Sequence, residues 1–339
     1  MITIDGSEGE SGGQILRSSL ALSAITQKPF TITKIRAKRP QPGLKEQHLQ
    51  TVNAIAQLCN AEITGNNLHS QELTFIPQTL KSGHLNMKIN TAGSIGLVLQ
   101  SLLIATVKTD LEITIQGGST WSKWAPPVLF LEEILLPLLE KMNYFVKIRI
   151  EREGFYPKGG ALVEVEANKA ELSALTLTER TPIEEIKIIS IAEKTLEKNK
   201  VAERQAKEAQ KLIFTKFKLD PNIKKEYYSA LNPGSGLLLV LKTKNSVIGA
   251  DSLGEKGKTS EKVAQESFEK LIKNYENGVV DEHIADMLLP YLALADSGKI
   301  KVSKVSDHVK TNISVIEKFL PVRFKIEKNH IKCSSYKIE

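Results

Sequence analysis

Apolar positions along the chain fall into three segments that share one order of elements. In the first, apolar residues recur at helical spacing from Gly13 to Ile25, then alternate as a strand over Phe30–Ile35. Helical spacing returns from Leu44 to Cys59, and two short strands follow around Glu62–Ile63 and Glu72–Ile76. The second segment repeats this as helix Ile95–Ala105, strand Leu111–Ile115, helix Pro126–Met142 and strands Phe145–Ile150 and Ala161–Val165. The third reads helix His283–Leu294, strand Lys299–Val302, helix Asn312–Phe319, and strands Arg323–Ile326 and Ile331–Ile338. Each segment is thus α-β-α-β-β. One such unit cannot bury its own apolar face, so three are expected to pack together.

The stretch from Thr181 to Gly278 has another character. It is rich in Lys and Glu and predicts a strand (Ile186–Ile191), a helix (Val201–Phe217), strands at Tyr227–Ala230 and Gly236–Leu241, and a helix (Ser260–Tyr275). We read it as a small α/β domain, 181–278, inserted into a large repeat domain formed by 1–180 and 279–339. An exposed connection is where such an insertion costs least.

Composition adds bounds rather than an identity. The chain has 339 residues, 41% hydrophobic and 25% charged, which suits a large domain plus a small one. Lys and Arg exceed Asp and Glu by 46 to 39, a net +7. That balance permits a polyanionic partner and equally fits a solvated Lys/Glu-rich surface. Two cysteines, Cys59 and Cys333, make neither a disulfide framework nor a metal pair, so a reducing compartment is expected. Met1 to Asp5 reads as the start of a strand, and the longest apolar run, Leu97 to Val107, is about half a bilayer span. A cytoplasmic protein without membrane attachment is the expectation.

Polar residues that break the apolar pattern sit at corresponding places in the three segments. In the first helices these are Gln14 and Arg17, Gln100, and Asp286; after the first strands they are Arg36 and Arg39, the run Gly117 to Trp124, and Ser306 to His308. If the units pack around a common axis, these positions meet in one polar site; otherwise each caps or solvates its own element. Gly6, Gly9, Gly12 and Gly13 surround Glu8 and Glu10 directly before a helix. Such a loop can bring N–H groups to an anion, its carboxylates can hold a divalent ion, or it can simply be flexible. Lys34 to Arg39 with Lys45 forms a basic patch suited to phosphate, or a solvated strand edge. His283 and Asp286 lie three apart on one helix face, as a ribose or metal site or as residues that open a helix. His308, placed between a strand and a helix, could as a neutral imidazole attack an α-phosphate, although a loop histidine is more often a surface residue. Gly257-Lys258-Thr259 imitates the end of a phosphate-binding P-loop, but Ser252 stands where that motif needs its first glycine. Asp281 to His283 lacks the second histidine of a zinc-protease helix.

Several long motifs then resemble the RNA 3′-terminal phosphate cyclase family over essentially the whole chain: Asp5 to Ser18, Ile35 to His48, Gly154-Phe-Tyr-Pro-Lys-Gly-Gly160, Asp281 to Ala295, and His308 to Asn312 followed by Phe319 to Phe324. The resemblance implies an α/β fold of three βαβαββ-type units, similar to the enolpyruvyl transferase architecture, with a small inserted α/β domain. It thereby adds a strand before each first helix. It also implies an ATP-dependent ligase. AMP would pass from ATP to a histidine, then to an RNA 3′-phosphate, and attack by the vicinal 2′-hydroxyl would leave a 2′,3′-cyclic phosphate and AMP. By the same resemblance His308 is the AMP carrier. Gln100, His283, Ile284, Ala285, Asp286 and Met287 match ATP-binding positions, and Glu10 matches a carboxylate for Mg or Mn. Arg17, Arg36, Arg39, Gln47 and His48 match groups near the phosphates or the RNA end. Glu8 and Ser11 stand where the pattern more commonly has Gln and Gly, and the Trp121–Trp124 stretch is less typical. These departures bear on recognition of the RNA end. A second reading is a non-catalytic cyclase-like protein of RNA processing or ribosome assembly; such relatives lack the histidine that His308 supplies. The reading leaves room for a homo-oligomer.

Overall fold

The computed structural model describes residues 1–336 and builds four four-stranded sheets. The first unit runs β1 (Ile2–Asp5), α1 (Gly13–Thr26), β2 (Phe30–Thr33), α2 (Glu46–Cys59), β3 (Glu62–Thr64) and β4 (Leu73–Ile76). Its sheet order is β1-β2-β4-β3, with β1 and β2 parallel and the other pairs antiparallel. The second unit is β5 (Gly83–Ser94), α3 (Ile95–Ala105), β6 (Leu111–Ser119), a helical stretch, β7 (Val146–Arg152) and β8 (Leu162–Ala167), in the same order β5-β6-β8-β7. The helical stretch is α4 (Val128–Phe130), a π turn (Leu131–Leu135) and α5 (Leu136–Glu140). Pro137 cannot donate to the preceding turn, and the helix widens just before it.

In the third unit the pattern is interrupted after its first strand. β9 (Leu175–Leu177) is followed by β10 (Ile183–Glu193), α6 (Val201–Phe217), β11 (Asn222–Tyr228), β12 (Ser235–Thr243), β13 (Val247–Leu253) and α7 (Ser260–Asn277). The unit then resumes with α8 (Glu282–Leu294), β14 (Ser297–Lys301), α9 (Asp307–Phe319), β15 (Val322–Glu327) and β16 (His330–Ser335). Positions 337 and 338, the end of the strand expected at Ile331–Ile338, lie outside the described residues. Its sheet, β15-β16-β14-β9, repeats the topology a third time: β9 and β14 are parallel and the remaining pairs antiparallel.

The interrupting segment forms its own sheet, β11-β10-β12-β13, and the two faces of that sheet have different neighbours. Ile188, Leu237, Leu239 and Ile248 lie under α6 and α7 in a separate core, whereas Ile189, Ile191, Leu238 and Val240 join the main core. Burial on both faces explains the unbroken apolar run Leu237 to Leu241. It also accounts for β13, whose Val247-Ile-Gly-Ala-Asp-Ser-Leu253 does not alternate.

At the centre of the molecule the first helices of the three units meet. α1 packs on α3 and on α9, α3 on α8, and α8 on α9. A helix enclosed in this way is buried nearly all round, which is why α1 carries small residues (Ser18, Ser19, Ala21, Ser23 and Ala24) among its leucines. Among the described residues no helix is long and apolar enough to cross a membrane.

Candidate active site

The helix packing brings the polar interruptions of the three units into one cleft of about 400 Å³. Gln14 and Arg17 come from α1, Gln100 from α3, His283, Asp286 and Met287 from α8, and His308 from α9; Arg36, Arg39, Gln47 and His48 complete one wall. Ile284 and Ala285 do not line it. The turn of α8 points both into the main core, where they are fully buried. Of the five consecutive positions 283–287, three therefore face the cleft.

His308 lies in the first turn of α9, not in a loop as the sequence pattern suggests. Ser306 caps this helix, its Oγ accepting from the Val309 N–H at 3.2 Å, so α9 starts five residues before the expected Asn312. The polar run Asp307 to Asn312 contains one deeply buried apolar residue, Val309, which is why helical periodicity alone missed this turn.

Both ring nitrogens of His308 are engaged. Nδ1 lies 2.8 Å from Gln14 Oε1, and Nε2 lies 2.6 Å from Glu10 Oε2. The Gln14 amide is oriented by its other end, whose Nε2 donates to Asp286 Oδ2 at 2.5 Å. The Asp286 backbone carbonyl accepts from Asn312 Nδ2 at 2.8 Å, and Asn312 Oδ1 accepts from Ser18 Oγ at 2.7 Å. The Gln14 oxygen therefore faces His308, which places the ring proton on Nδ1 and leaves the lone pair on Nε2. Burial pushes the His308 imidazole below its ordinary pKa, with Arg17, Arg39 and His283 adding to the effect, while Glu10 opposes it. Burial likewise raises Asp286 to about 7 against the pull of His283 and Arg17.

The lining around His308 is cationic. Arg17 has no ion-pair partner among the described residues, and burial lowers its pKa to about 10, still a cation at neutral pH. Arg39 Nη2 reaches Glu10 Oε2 only at 3.9 Å. Arg36 also shapes the loop before α2, since its Nη1 donates to the carbonyls of Gln41 and Gly43, both at 2.8 Å. His48 is buried and held neutral. Desolvation, then Arg17, Arg36 and Lys45, lower its pKa to about 3, and its Nδ1 accepts from the Lys45 N–H at 3.2 Å. Gln47 Oε1 accepts from the Ser94 N–H at 2.8 Å, joining the first unit to the second.

The glycine loop before α1 finishes the site. Gly12 precedes α1 without a side-chain cap, and no acid lies in the first turn, so the helix N–H groups remain available to an anion. A side chain at Gly13 would lie 2.3 Å from His48 Nε2, and this contact is what requires glycine there. Ser11 has φ +49° and compensates by donating its Oγ to the Gly6 carbonyl at 3.0 Å and accepting from the Lys38 N–H at 3.2 Å.

Some contributors were not assigned a role from the sequence. Gln14 was visible only as a polar break in α1, without its link to His308. Lys123 and Trp124 line the cleft, as the polar run Gly117–Trp124 was expected to, but were given no role, and Tyr156 was not placed there at all. The Gly257–Thr259 stretch is not part of the site: Lys258 is bound to Glu266 and the Leu253 carbonyl, and Thr259 caps α7.

Three βαβαββ units around a basic cleft, with a histidine, a carboxylate and an uncapped helix at its floor, define an enzyme built to act on phosphorylated substrates. The sequence profile of the RNA 3′-terminal phosphate cyclases matches residues 8–326. Proteins named RNA 3′-terminal phosphate cyclase are similar over nearly their full length. The one from Pyrococcus abyssi is 44% identical over 96% of this chain and 95% of its own, that from Ignicoccus hospitalis 41% over 95% and 93%, and that from Methanopyrus kandleri 40% over 96% and 95%. The chain belongs to the RNA 3′-terminal phosphate cyclase family and is an enzyme of that class.

Proposed function

We propose that the protein converts an RNA 3′-terminal phosphate to a 2′,3′-cyclic phosphate at the expense of ATP, with AMP carried on His308. The observation that carries this reading is the setting of His308. Its Nδ1 proton is claimed by Gln14, its Nε2 stands 2.6 Å from Glu10 Oε2, and the ring shares the cleft lining with Arg17, which has no ion-pair partner among the described residues. Nε2 attacks the α-phosphorus of ATP and pyrophosphate leaves, giving a phosphoramidate. A 3′-phosphate oxygen of the RNA then displaces His308 and takes the AMP. The neighbouring 2′-hydroxyl attacks the activated phosphorus, AMP departs, and the cyclic ester remains. Gln14, itself held by Asp286, keeps the ring in one tautomer throughout. Arg17, Arg39 and the bare N-terminus of α1 stabilise the phosphoryl charge, and Gln100, His283, Asp286 and Met287 flank the nucleotide.

Glu10 is the residue that would hold Mg²⁺ or Mn²⁺. Glu10 Oε2 lies 2.6 Å from His308 Nε2, so a cation held by Glu10 would sit beside the attacking nitrogen. Among the described residues no cluster of three His, Cys, Asp or Glu side chains surrounds it. This fits an ion that takes one carboxylate and completes its shell with phosphate oxygens and water. Such an ion supplies charge neutralisation at the phosphates.

The division into a repeat domain (1–180 and 279–339) and an inserted domain (181–278) belongs to the same proposal. It is supported by the separate core under α6 and α7.

The test uses α-labelled ATP with Mg²⁺. Wild-type protein is expected to acquire acid-labile label and His308→Ala none; equal labelling of both would overturn the mechanism. With RNA ending in a 3′-phosphate, the terminal phosphate is expected to become resistant to phosphatase.

A further inference from the structure

The most exposed large apolar side chain among the described residues is Trp124, at 92%, and it stands at the mouth of the cleft. Its backbone adopts φ +61°, so the chain accepts a conformational cost in displaying it. The loop that carries it is nevertheless firmly anchored. Trp121 is buried and forms a parallel bridge with Phe155, and its carbonyl accepts from the Tyr156 N–H at 3.1 Å. The rings of Trp121 and Phe155 rest on the bare backbone of Gly236 and Gly234 of the inserted segment, where a Cβ would lie 2.2 and 2.3 Å from them. With Trp121 and Phe155 turned inward, Trp124 and Tyr156 are turned outward. Between them stands Lys123, its Nζ 5.9 Å from the Trp124 ring centroid and 5.8 Å from that of Tyr156. Lys123 also pairs with Glu255 of the inserted segment at 3.2 Å.

From this we infer that Trp124, with Tyr156 and Lys123, forms a stacking platform for the nucleobase that precedes the terminal nucleotide of a single-stranded RNA. The inference rests on the cyclase reading. A strand whose terminal phosphate reaches Arg17 and His308 must pass the rim, and there its next nucleotide offers a π face and a phosphate to an aromatic face and a cation. Aromatic stacking is tolerant of sequence, as an enzyme for RNA ends requires, and a flanking lysine answers the backbone charge. The platform is continuous with the cationic cleft, which favours a polynucleotide over a protein as its occupant.

The chain has two tryptophans, and Trp121 is buried, so quenching of tryptophan fluorescence reports on Trp124. Without ATP, an RNA trinucleotide bearing a 3′-phosphate is expected to quench it and a nucleoside 3′-monophosphate is not. In cyclisation assays the trinucleotide should have a lower KM than the mononucleotide. Trp124→Ala should reduce that advantage by about tenfold, and Trp124→Phe, which keeps a ring, should preserve most of it. Equal quenching by both ligands, an unchanged KM ratio in Trp124→Ala, or quenching by neither would overturn the platform, the last leaving the face to a protein partner. Failure of the cyclase reading is separately visible: wild-type protein would then take no label from ATP, whatever the trinucleotide does to the fluorescence.

Discussion

The first and third units share a topology strand for strand, yet the helices that meet the cleft begin in opposite ways. α1 starts behind Gly12, with no side-chain cap and no acid in its first turn. α9 starts behind Ser306, which satisfies the Val309 N–H, and carries Asp307 and His308 in its first turn. A bare helix end is a receptor for an anion through its backbone, whereas a capped one is a rigid mount for a side chain. α1 is the first helix of its unit and α9 the second of its own, so the cleft combines non-equivalent helix ends, one left open to an anion and one mounting a side chain.

The largest expected effect comes from removing the mounted group. His308→Ala should abolish transfer of label from ATP to the protein while the fold, judged by thermal melting, persists. The second substitution reverses the character of the bare end. Gly12→Asp gives α1 a cap, since Gly12 already has extended backbone, and is expected to stabilise the protein slightly, by about 0.3 kcal/mol. The same carboxylate repels the phosphates, so the ATP concentration needed for half-maximal labelling should rise more than about tenfold, reflecting ~1.4 kcal/mol or more. A variant whose stability rises while ATP binding is untouched would show that α1 does not receive the anion. Third, Ser306→Ala removes the cap from α9 and should cost about 1 kcal/mol in chemical denaturation. Labelling should slow only modestly, because Gln14 still holds the ring.

The smallest effect tests a place away from both helix ends. Glu153 is buried beside Thr120 at the base of the Trp121 loop, and burial raises its pKa from 4.5 to about 7. A folded-state pKa above the unfolded value means that the folded protein holds the extra proton, so this contribution to stability is lost as pH rises from about 4.5 to 7. The melting temperature of wild type relative to Glu153→Gln should therefore decline over that interval, while His48, whose pKa burial lowers, acts with the opposite sign in both proteins. Asp286, raised for the same reason, contributes with the same sign and keeps some slope in the variant.

Two helices were legible to the residue: α3, a continuous apolar run buried nearly all round, and α6, which packs by one face. Of the strands preceding the first helices, β1 was read at Met1 to Asp5, but β5 and β9 were not. β9 is three residues long, and β5 ends in the polar and small run Asn90 to Ser94, which hides the alternation of Leu85, Met87 and Ile89. The convergence of Gln14, Gln100 and Asp286 could be anticipated because the polar breaks recur at equivalent places in a repeat. The bond from Gln14 to His308 could not, since it depends on how α1 and α9 cross. Nor could the dual role of Arg36, whose guanidinium serves backbone carbonyls that become neighbours only when the loop Arg36 to Gly43 closes.

The pairing of β9 with β14 has a consequence for how the chain folds. Units one and two are each complete in a continuous stretch and can close as soon as they are synthesised. The third cannot, because Leu175 and Leu177 must wait for Gly298 and Ile300, with the whole inserted segment in between. An unstructured loop of that length would add closure entropy and keep a strand edge exposed. If β10 to α7 fold first on their own sheet, the ends of that loop are drawn together beforehand, and the last repeat closes as if it were local. The order of assembly then runs inward from the two halves. The cleft, which needs α8 and α9, comes into being only at the final step.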